Sequence, residues 1–331
     1  MRIGLICRAA TILSIVTVLL GCRSPSSNNQ ERLKARPLIP RKFVRTPERL
    51  VRGSYLVNGV ALCFSCHDPL DFSKPGWPPV LGKEGSGYDW GIFGQVAPNI
   101  TPDLETGAGT WTDDMLGRAI REGVAHDGHF LNPAVMPYEF YRAMSDEDLA
   151  SVIVYLRSIP PVRNRLPLPK TPDNLVTPYA VAITSPIPQP DISTPQKRGA
   201  YLVQIAGCQY CHTLRDVNRR WLPGLEFAGG DLVTTGPHPE ASSANITQDP
   251  SGISYYDEAQ FLKTIRTGKV GARQISPNMP WWYFARMSDE DLKSVFAFLR
   301  TVKPVHHRVD NTEPVSYCRI CGRKHAGGAL N

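Results

Sequence analysis

Apolar positions recur at helical spacing in two stretches that resemble each other. Ser145-Asp146-Glu147-Asp148 is followed by Leu149, Val152, Ile153 and Leu156, and Ser288-Asp289-Glu290-Asp291 by Leu292, Val295, Phe296 and Leu299. Each reads as an amphipathic helix opened by an acidic capping box. Arg157 or Arg300 near the end suits the helix dipole, and Pro160-Pro161 or Pro304 stops the element. Two earlier helices are announced by Thr46-Pro47 and Thr194-Pro195, each an N-cap residue before a proline in the first turn. Behind them, Arg52-Gly53-Ser54-Tyr55-Leu56-Val57 is answered by Arg198-Gly199-Ala200-Tyr201-Leu202-Val203, with Gly53 small enough to admit another helix at close range. Asn99-Ile100-Thr101 matches Asn245-Ile246-Thr247, and Ala119-Ile120-Arg121 before Gly123 matches Thr264-Ile265-Arg266 before Gly268. The pattern is a tandem duplication.

The N-terminal pattern is of another kind. Arg2 and Arg8 flank the start of an apolar run over residues 9–20, too short to span a bilayer as a mature helix, and the stretch reads as a signal peptide over residues 1–21. Leu19-Leu20-Gly21-Cys22 resembles a bacterial lipobox, which makes Cys22 the lipidated first residue of an exported chain held to a membrane on its periplasmic side. Residues 22–45 are rich in Ser, Asn, Pro and Arg without apolar period and read as a disordered basic tether. Of the net charge of +7, most lies there, and the remainder is close to neutral. A nucleic-acid partner is therefore not expected. With 331 residues, of which 42% are hydrophobic, the chain can build about two cores.

The chemistry sits in Cys63-Phe64-Ser65-Cys66-His67 and, 145 residues on by the histidines, Cys208-Gln209-Tyr210-Cys211-His212. Two thiols at this spacing can each add across a vinyl group of one porphyrin, and the imidazole that follows falls under the iron. A zinc half-site would require further ligands at similar spacing, and a redox dithiol would require no histidine. Two copies ending in His point to two covalent haems c, held by Cys63, Cys66 and His67 and by Cys208, Cys211 and His212. For the sixth iron ligand, Met115, Met136, Met144, His126 and His129 are candidates in the first copy and Met279 and Met287 in the second. Met144 and Met287 precede helix N-caps, where a hydrophobic staple explains them. Met136-Pro137 and Met279-Pro280 lie in irregular loops with no periodic face, so Met136 and Met279 are the expected ligands. His126 and His129 have no counterparts in the second copy, where Lys269-Val270-Gly271-Ala272-Arg273 stands instead, and are read as loop histidines.

The run from Asn99-Ile100-Thr101-Pro102-Asp103 through Trp111-Thr112-Asp113-Asp114, Arg118-Ala119-Ile120-Arg121-Glu122-Gly123-Val124 and Met136-Pro137-Tyr138 to Met144-Ser145-Asp146-Glu147-Asp148-Leu149 resembles the class I cytochrome c domains of multihaem dehydrogenase cytochrome subunits. The resemblance covers both copies. It implies an all-α fold of two tandem class I cytochrome c domains, at 46–162 and 194–305, joined by a Pro-rich linker over 163–193. It also implies His/Met iron in each, and transfer of single electrons from a dehydrogenase donor to an acceptor cytochrome or oxidase. Those subunits usually carry three such domains, whereas this chain has two haem motifs. An electron-transfer protein with both axial positions closed is the first reading. A dihaem enzyme of the peroxidase or thiosulfate dehydrogenase type, with one open iron, is the second. In the tail, 306–331, Cys318-Arg319-Ile320-Cys321 lacks the histidine of a third haem motif. A disulfide is the default for this pair outside the cytoplasm, and a small metal site with His306, His307 or His325 is the other reading.

Overall fold

The computed structural model describes residues 35–74, 78–91, 95–168, 182–216, 220–233 and 239–327. The leader, Cys22, the first part of the tether and residues 169–181 of the Pro-rich linker lie outside the described residues. The first copy contains α1 (Pro47–Tyr55), α2 (Cys63–His67), α3 (Asp113–Glu122), α4 (Tyr138–Tyr141) and α5 (Asp146–Leu156). The second repeats the order with α6 (Pro195–Ile205), α7 (Cys208–His212), α8 (Glu258–Thr267), α9 (Trp281–Phe284) and α10 (Asp289–Leu299). The expected caps form, since Thr46, Thr194, Ser145 and Ser288 each accept from the backbone N–H three residues on. No described helix is long and apolar enough to cross a membrane.

The expectation of a wholly α chain needs correction in the loops. Among the described residues eight short strands pair as antiparallel two-stranded ladders: β1 (Tyr88–Asp89) with β2 (Val96–Ala97), β3 (Leu232–Val233) with β4 (Ala241–Ser242), β5 (Lys269–Val270) with β6 (Arg273–Gln274), and β7 (Val315–Tyr317) with β8 (Lys324–Ala326). Excursions between helices must satisfy their backbone groups, and a brief ladder does so without a core of its own. Strands of two or three residues leave no alternating pattern to read in the sequence.

In each copy the first and last helices cross. A Cβ on Gly53 would overlap the Ser151 carbonyl of α5, and one on Gly199 the Ser294 carbonyl of α10. Beside each crossing, Arg52 holds Asp148 through two bonds of 2.8 Å, and Arg198 reaches Asp291 at 2.8 Å. The tyrosine of the same motif works between copies. Tyr55 donates to Asp291 (2.5 Å) and accepts from Ser288 N, while Tyr201 donates to Asp148 (2.7 Å) and accepts from Ser145 N. Leu56, Val57, Leu149 and Ile153 therefore share one buried core with Leu202, Val203, Leu292 and Leu299. Fully burying each such side chain contributes about 1.5–3 kcal/mol.

The copies differ by one residue between this motif and the first haem cysteine, since six positions separate Val57 from Cys63 and five separate Val203 from Cys208. The extra residue is taken up as a π turn over Leu56–Val60, closed by Ala61 N–H to Leu56 O at 2.8 Å. In the second copy Ala206 N–H reaches Leu202 O in ordinary α register. A single inserted residue enters a helix in this way without turning the rest of its face out of the core.

Residues 35–45, expected as the end of a disordered tether, are fastened to α3. Asp114 on α3 is wholly buried and needs a countercharge, which Arg36 supplies at 2.7 and 2.8 Å, while Ile39 N–H adds a third bond at 3.0 Å. Arg36 also reaches Glu122 at 3.0 Å, and Phe43 N–H bonds Asp113 at 2.8 Å. Burial pushes the Asp114 carboxyl up, but the Arg36 and Ile39 bonds and the charges of Arg36 and Arg41 outweigh it and hold the group below its ordinary value. The stabilisation is thus present above about pH 4 and is lost as pH falls below it. Arg36→Ala strands a buried carboxylate and is expected to cost about 3 kcal/mol near neutrality. Urea unfolding at pH 7 reads that cost, and at pH 3 the difference from the parent should shrink.

Candidate functional site

Both Cys-x-x-Cys-His motifs form a short helix, so the two thiols lie three residues apart on one face and the imidazole one residue further round. The turn into each helix is left-handed, at Leu62 (φ +54°) and Gly207 (φ +68°). The requirement is shared by both copies, and only one meets it with glycine. His67 donates from Nδ1 to Pro98 O at 2.8 Å, and His212 from Nδ1 to Ala244 O at 2.7 Å. A carbonyl only accepts, so the hydrogen sits on Nδ1 and Nε2 carries the lone pair a metal needs. Burial lowers the pKa of both imidazoles, which keeps them neutral.

The loop that supplies this carbonyl is itself clamped. Asn99 Oδ1 accepts from Thr101 N (3.0 Å) and Thr101 Oγ1 (2.7 Å), while its Nδ2 donates to Val162 O at 2.7 Å. Asn245 repeats the set with Thr247 (2.9 and 2.8 Å) and Val305 O (2.9 Å). The Asn-Ile-Thr repeat thus joins the chain beyond the last helix to the carbonyl that orients the histidine. His67 O accepts from Gly87 N at 2.7 Å and His212 O from Gly229 N at 2.8 Å. The residue after each histidine pins the same loop, Asp68 to Gly85 N (2.6 Å) and Thr213 to Phe227 N (2.9 Å). Burial pushes the Asp68 carboxyl up to about 7.

Burial also pushes the thiols of Cys63, Cys208 and Cys211 up to about 12. A thiol–disulfide catalyst has the opposite shift, because its reactive form is the thiolate. Paired thiols on one helical face, an imidazole fixed as the Nδ1–H tautomer and a clamped loop carbonyl behind it fit covalent haem c at Cys63, Cys66 and His67 and at Cys208, Cys211 and His212.

The methionines separate by setting. Met144 and Met287 are 1% and 3% exposed and belong to the core. Met136 and Met279 are only partly buried against it. Each begins a tight turn about a proline, with Tyr138 N–H to Met136 O at 2.8 Å across Pro137 (φ −80°, ψ 54°) and Trp281 N–H to Met279 O at 2.7 Å across Pro280 (φ −78°, ψ 53°). This is close to an inverse γ-turn, which fixes the direction of the preceding side chain. His126 and His129 are exposed, the first stacked on Trp111 at 4.3 Å and the second bonded to Asp127.

The reciprocal contacts could not be read from the motifs. Tyr283 of α9 donates to Phe64 O within α2 at 3.0 Å, and Tyr210 of α7 to Ala134 O at 2.9 Å. Each haem-motif helix is thereby packed against the Met-Pro loop region of the other copy. A further set of residues, His307, Cys318, Cys321 and His325, converges beside the loop that holds His212, with His307 bonded to Ala228 O and to Asn245.

No protein-family model matches the chain. It is 29% identical over 263 residues to a diheme cytochrome c-type of Cereibacter sphaeroides, covering 73% of this chain and 82% of the relative. It is 28% identical over 268 residues to the gluconate 2-dehydrogenase cytochrome c subunit of Pantoea cypripedii, covering 76% of this chain and 59% of the relative. With the fructose dehydrogenase cytochrome subunit of Gluconobacter japonicus it shares 27% identity over 319 residues, 89% of this chain and 59% of the relative. The chain thus spans a little over half the length of these two dehydrogenase subunits. Over most of its length it is similar to a diheme cytochrome c-type protein and to the cytochrome c subunits of bacterial dehydrogenases.

Proposed function

We propose that the chain is a dihaem c-type cytochrome that carries single electrons from a dehydrogenase to an acceptor cytochrome or oxidase. Two cytochrome c domains, 46–162 and 194–305, hold the haems, and a lipid on Cys22 anchors the chain on the periplasmic side of a bacterial membrane. The observation that carries the reading is the duplicated motif helix, each with its histidine fixed by an Nδ1–H bond to a loop carbonyl.

Bound haem supplies a one-electron Fe(III)/Fe(II) couple, and the chain supplies attachment, orientation and environment. Cys63 and Cys66 hold one group and Cys208 and Cys211 the other. His67 and Met136 would ligate one iron and His212 and Met279 the other, so that no position would be left on either for a substrate and the chemistry supplied would be outer-sphere electron exchange. The packing of each motif helix against the opposite copy supports exchange between the two centres without rearrangement of one copy against the other. Similarity to dehydrogenase subunits supports a dehydrogenase as donor.

Spectroelectrochemical titration of the purified mature protein tests the proposal. Two low-spin haems titrating as one-electron centres are expected. A high-spin ferric haem together with turnover of peroxide or thiosulfate would favour a dihaem enzyme instead, and colourless protein would end both readings. Fatty-acid labelling that persists in Cys22→Ala would overturn the anchor.

A further inference from the structure

We infer that the tail holds a structural zinc ion between His307, Cys318, Cys321 and His325. Their ligand atoms all lie within 4.8 Å of one another. A tetrahedral zinc with Zn–S of about 2.3 Å and Zn–N of about 2.0–2.1 Å sets its ligands roughly 3.3–3.8 Å apart, so little adjustment is needed.

The histidine tautomers point to a cation. His307 Nδ1 lies 2.9 Å from Ala228 O, and His325 Nδ1 lies 2.9 Å from Ala326 O. Each therefore carries its hydrogen on Nδ1 and its lone pair on Nε2. The two Nε2 atoms face each other at 3.0 Å, with both residues wholly buried. Two lone pairs at that distance repel unless something positive lies between them. A proton would place an imidazolium in a buried site. A divalent ion shared with two thiolates gives a neutral centre, and the two sulfurs stand beside the imidazoles. Cysteine with histidine in a four-coordinate set selects zinc over hard cations.

Comparison of the copies shows that His307 does more than pack. Its counterpart Asn164 donates its backbone N–H to Thr106 Oγ1 and its side chain to Ser86 O at 3.0 Å. His307 donates its backbone N–H to Ser251 Oγ and its side chain to Ala228 O, the matching carbonyl. An amide therefore suffices for that contact, and the imidazole adds one further nitrogen, turned toward the tail. Room for the rings comes from Gly230 (φ +93°), where a Cβ would stand 2.5 Å from His307 Cε1 and 3.4 Å from His325 Cδ2; the first copy has Tyr88 there.

Both cysteines lie in the turn of the β7–β8 hairpin. Cys318 N–H bonds Arg323 O at 2.8 Å, Gly322 N–H bonds Cys318 O at 2.9 Å, and Gly322 takes the left-handed conformation the turn requires (φ +68°). Val315, Tyr317 and Ile320 on this hairpin are more than half exposed. A two-stranded ribbon so poor in apolar burial is marginal without a staple. A Cys318–Cys321 disulfide would close only the turn, leaving the histidine lone pairs opposed and the hairpin untied to His307.

The test is metal analysis of the haem-loaded full chain, with zinc counted against both haem iron and protein, so that failure of haem loading does not obscure the result. One zinc per chain is expected. His307→Asn, the first copy's residue, keeps the bond to Ala228 O and should lower zinc by about tenfold or more with both haems retained. Cys321→Ser should do the same, and in both variants trypsin should cut at Arg319 and Arg323 faster than in the parent. Zinc-free parent protein with Cys318 joined to Cys321 in a non-reducing peptide map would overturn the assignment. So would zinc content unchanged in His307→Asn.

Discussion

Met136→Leu is expected to lower one of the two midpoint potentials and leave the other in place, and Met279→Leu to do the converse. Leucine nearly conserves volume, so packing against the core survives at a cost below about 1.5 kcal/mol. The thioether is lost. A soft sulfur opposite histidine favours reduced iron, and its removal takes that preference away. The fall should be on the order of 0.1 V or more, within the roughly 0.8 V over which axial ligands move haem potentials. Absorption due to the sulfur–iron bond should vanish from the same haem. Met144→Leu is the matched control, because Met144 is buried in the core beside the start of α5 and has a packing role to explain it. If Met144→Leu moved a potential and Met136→Leu moved neither, the assignment of Met136 would fail.

What could be read in the sequence was whatever acts over a few residues or repeats at a fixed offset. The Cys-x-x-Cys-His spacing, the threonine and serine caps and the small residue at Gly53 belong to that class. The repeated Arg-Gly-x-Tyr motif was visible, but its division of labour was not. Arg52 bonds within its own copy and Tyr55 across to Asp291, and nothing in a single chain direction distinguishes the two. The Asn-Ile-Thr repeat was equally plain, while its clamp on the carbonyl behind the histidine depends on Val162, 63 residues away. Asp114 stands in the first turn of α3, and nothing in the residues around it marks it as buried. Its burial, and hence its need for Arg36, comes from the strap over residues 35–45, whose composition suggested disorder. The short ladders were missed because two or three residues carry no period. The tail cysteines were visible from the start, and it is the fold that brings His307 and His325 to them.

Gly199→Ala is expected to prevent the α6–α10 crossing, and Gly53→Ala the α1–α5 crossing, whereas Gly59→Ala should be close to neutral. At Gly199 the new methyl would overlap the Ser294 carbonyl and come within 2.8 Å of Phe298 Cβ; at Gly53 it would overlap the Ser151 carbonyl and come within 2.7 Å of Tyr155 Cβ. These are backbone and β-carbon positions, which no rotamer change can clear. Ser151 and Ser294 fold their hydroxyls back onto the carbonyls of Glu147 and Glu290, both at 2.8 Å, leaving the partner backbone bare at the contact. The helices must therefore separate. That movement opens the shared core and draws Arg198 from Asp291, or Arg52 from Asp148, so the cost should reach about 3 kcal/mol or more, the upper range for overpacking. Against a total stability of about 5–15 kcal/mol this is large, and it lowers the melting temperature by on the order of 10 °C. Gly59 is also buried, yet its nearest foreign atoms are 3.8–3.9 Å from a built Cβ, an ordinary contact. Alanine there forfeits no packing and reduces the freedom of the unfolded chain. Thermal unfolding followed at the haem absorption band, with the haem content of each purified variant, separates the cases. Equal effects at Gly53 and Gly59 would show that the crossing does not govern Gly53, because helix propensity alone favours alanine at both positions.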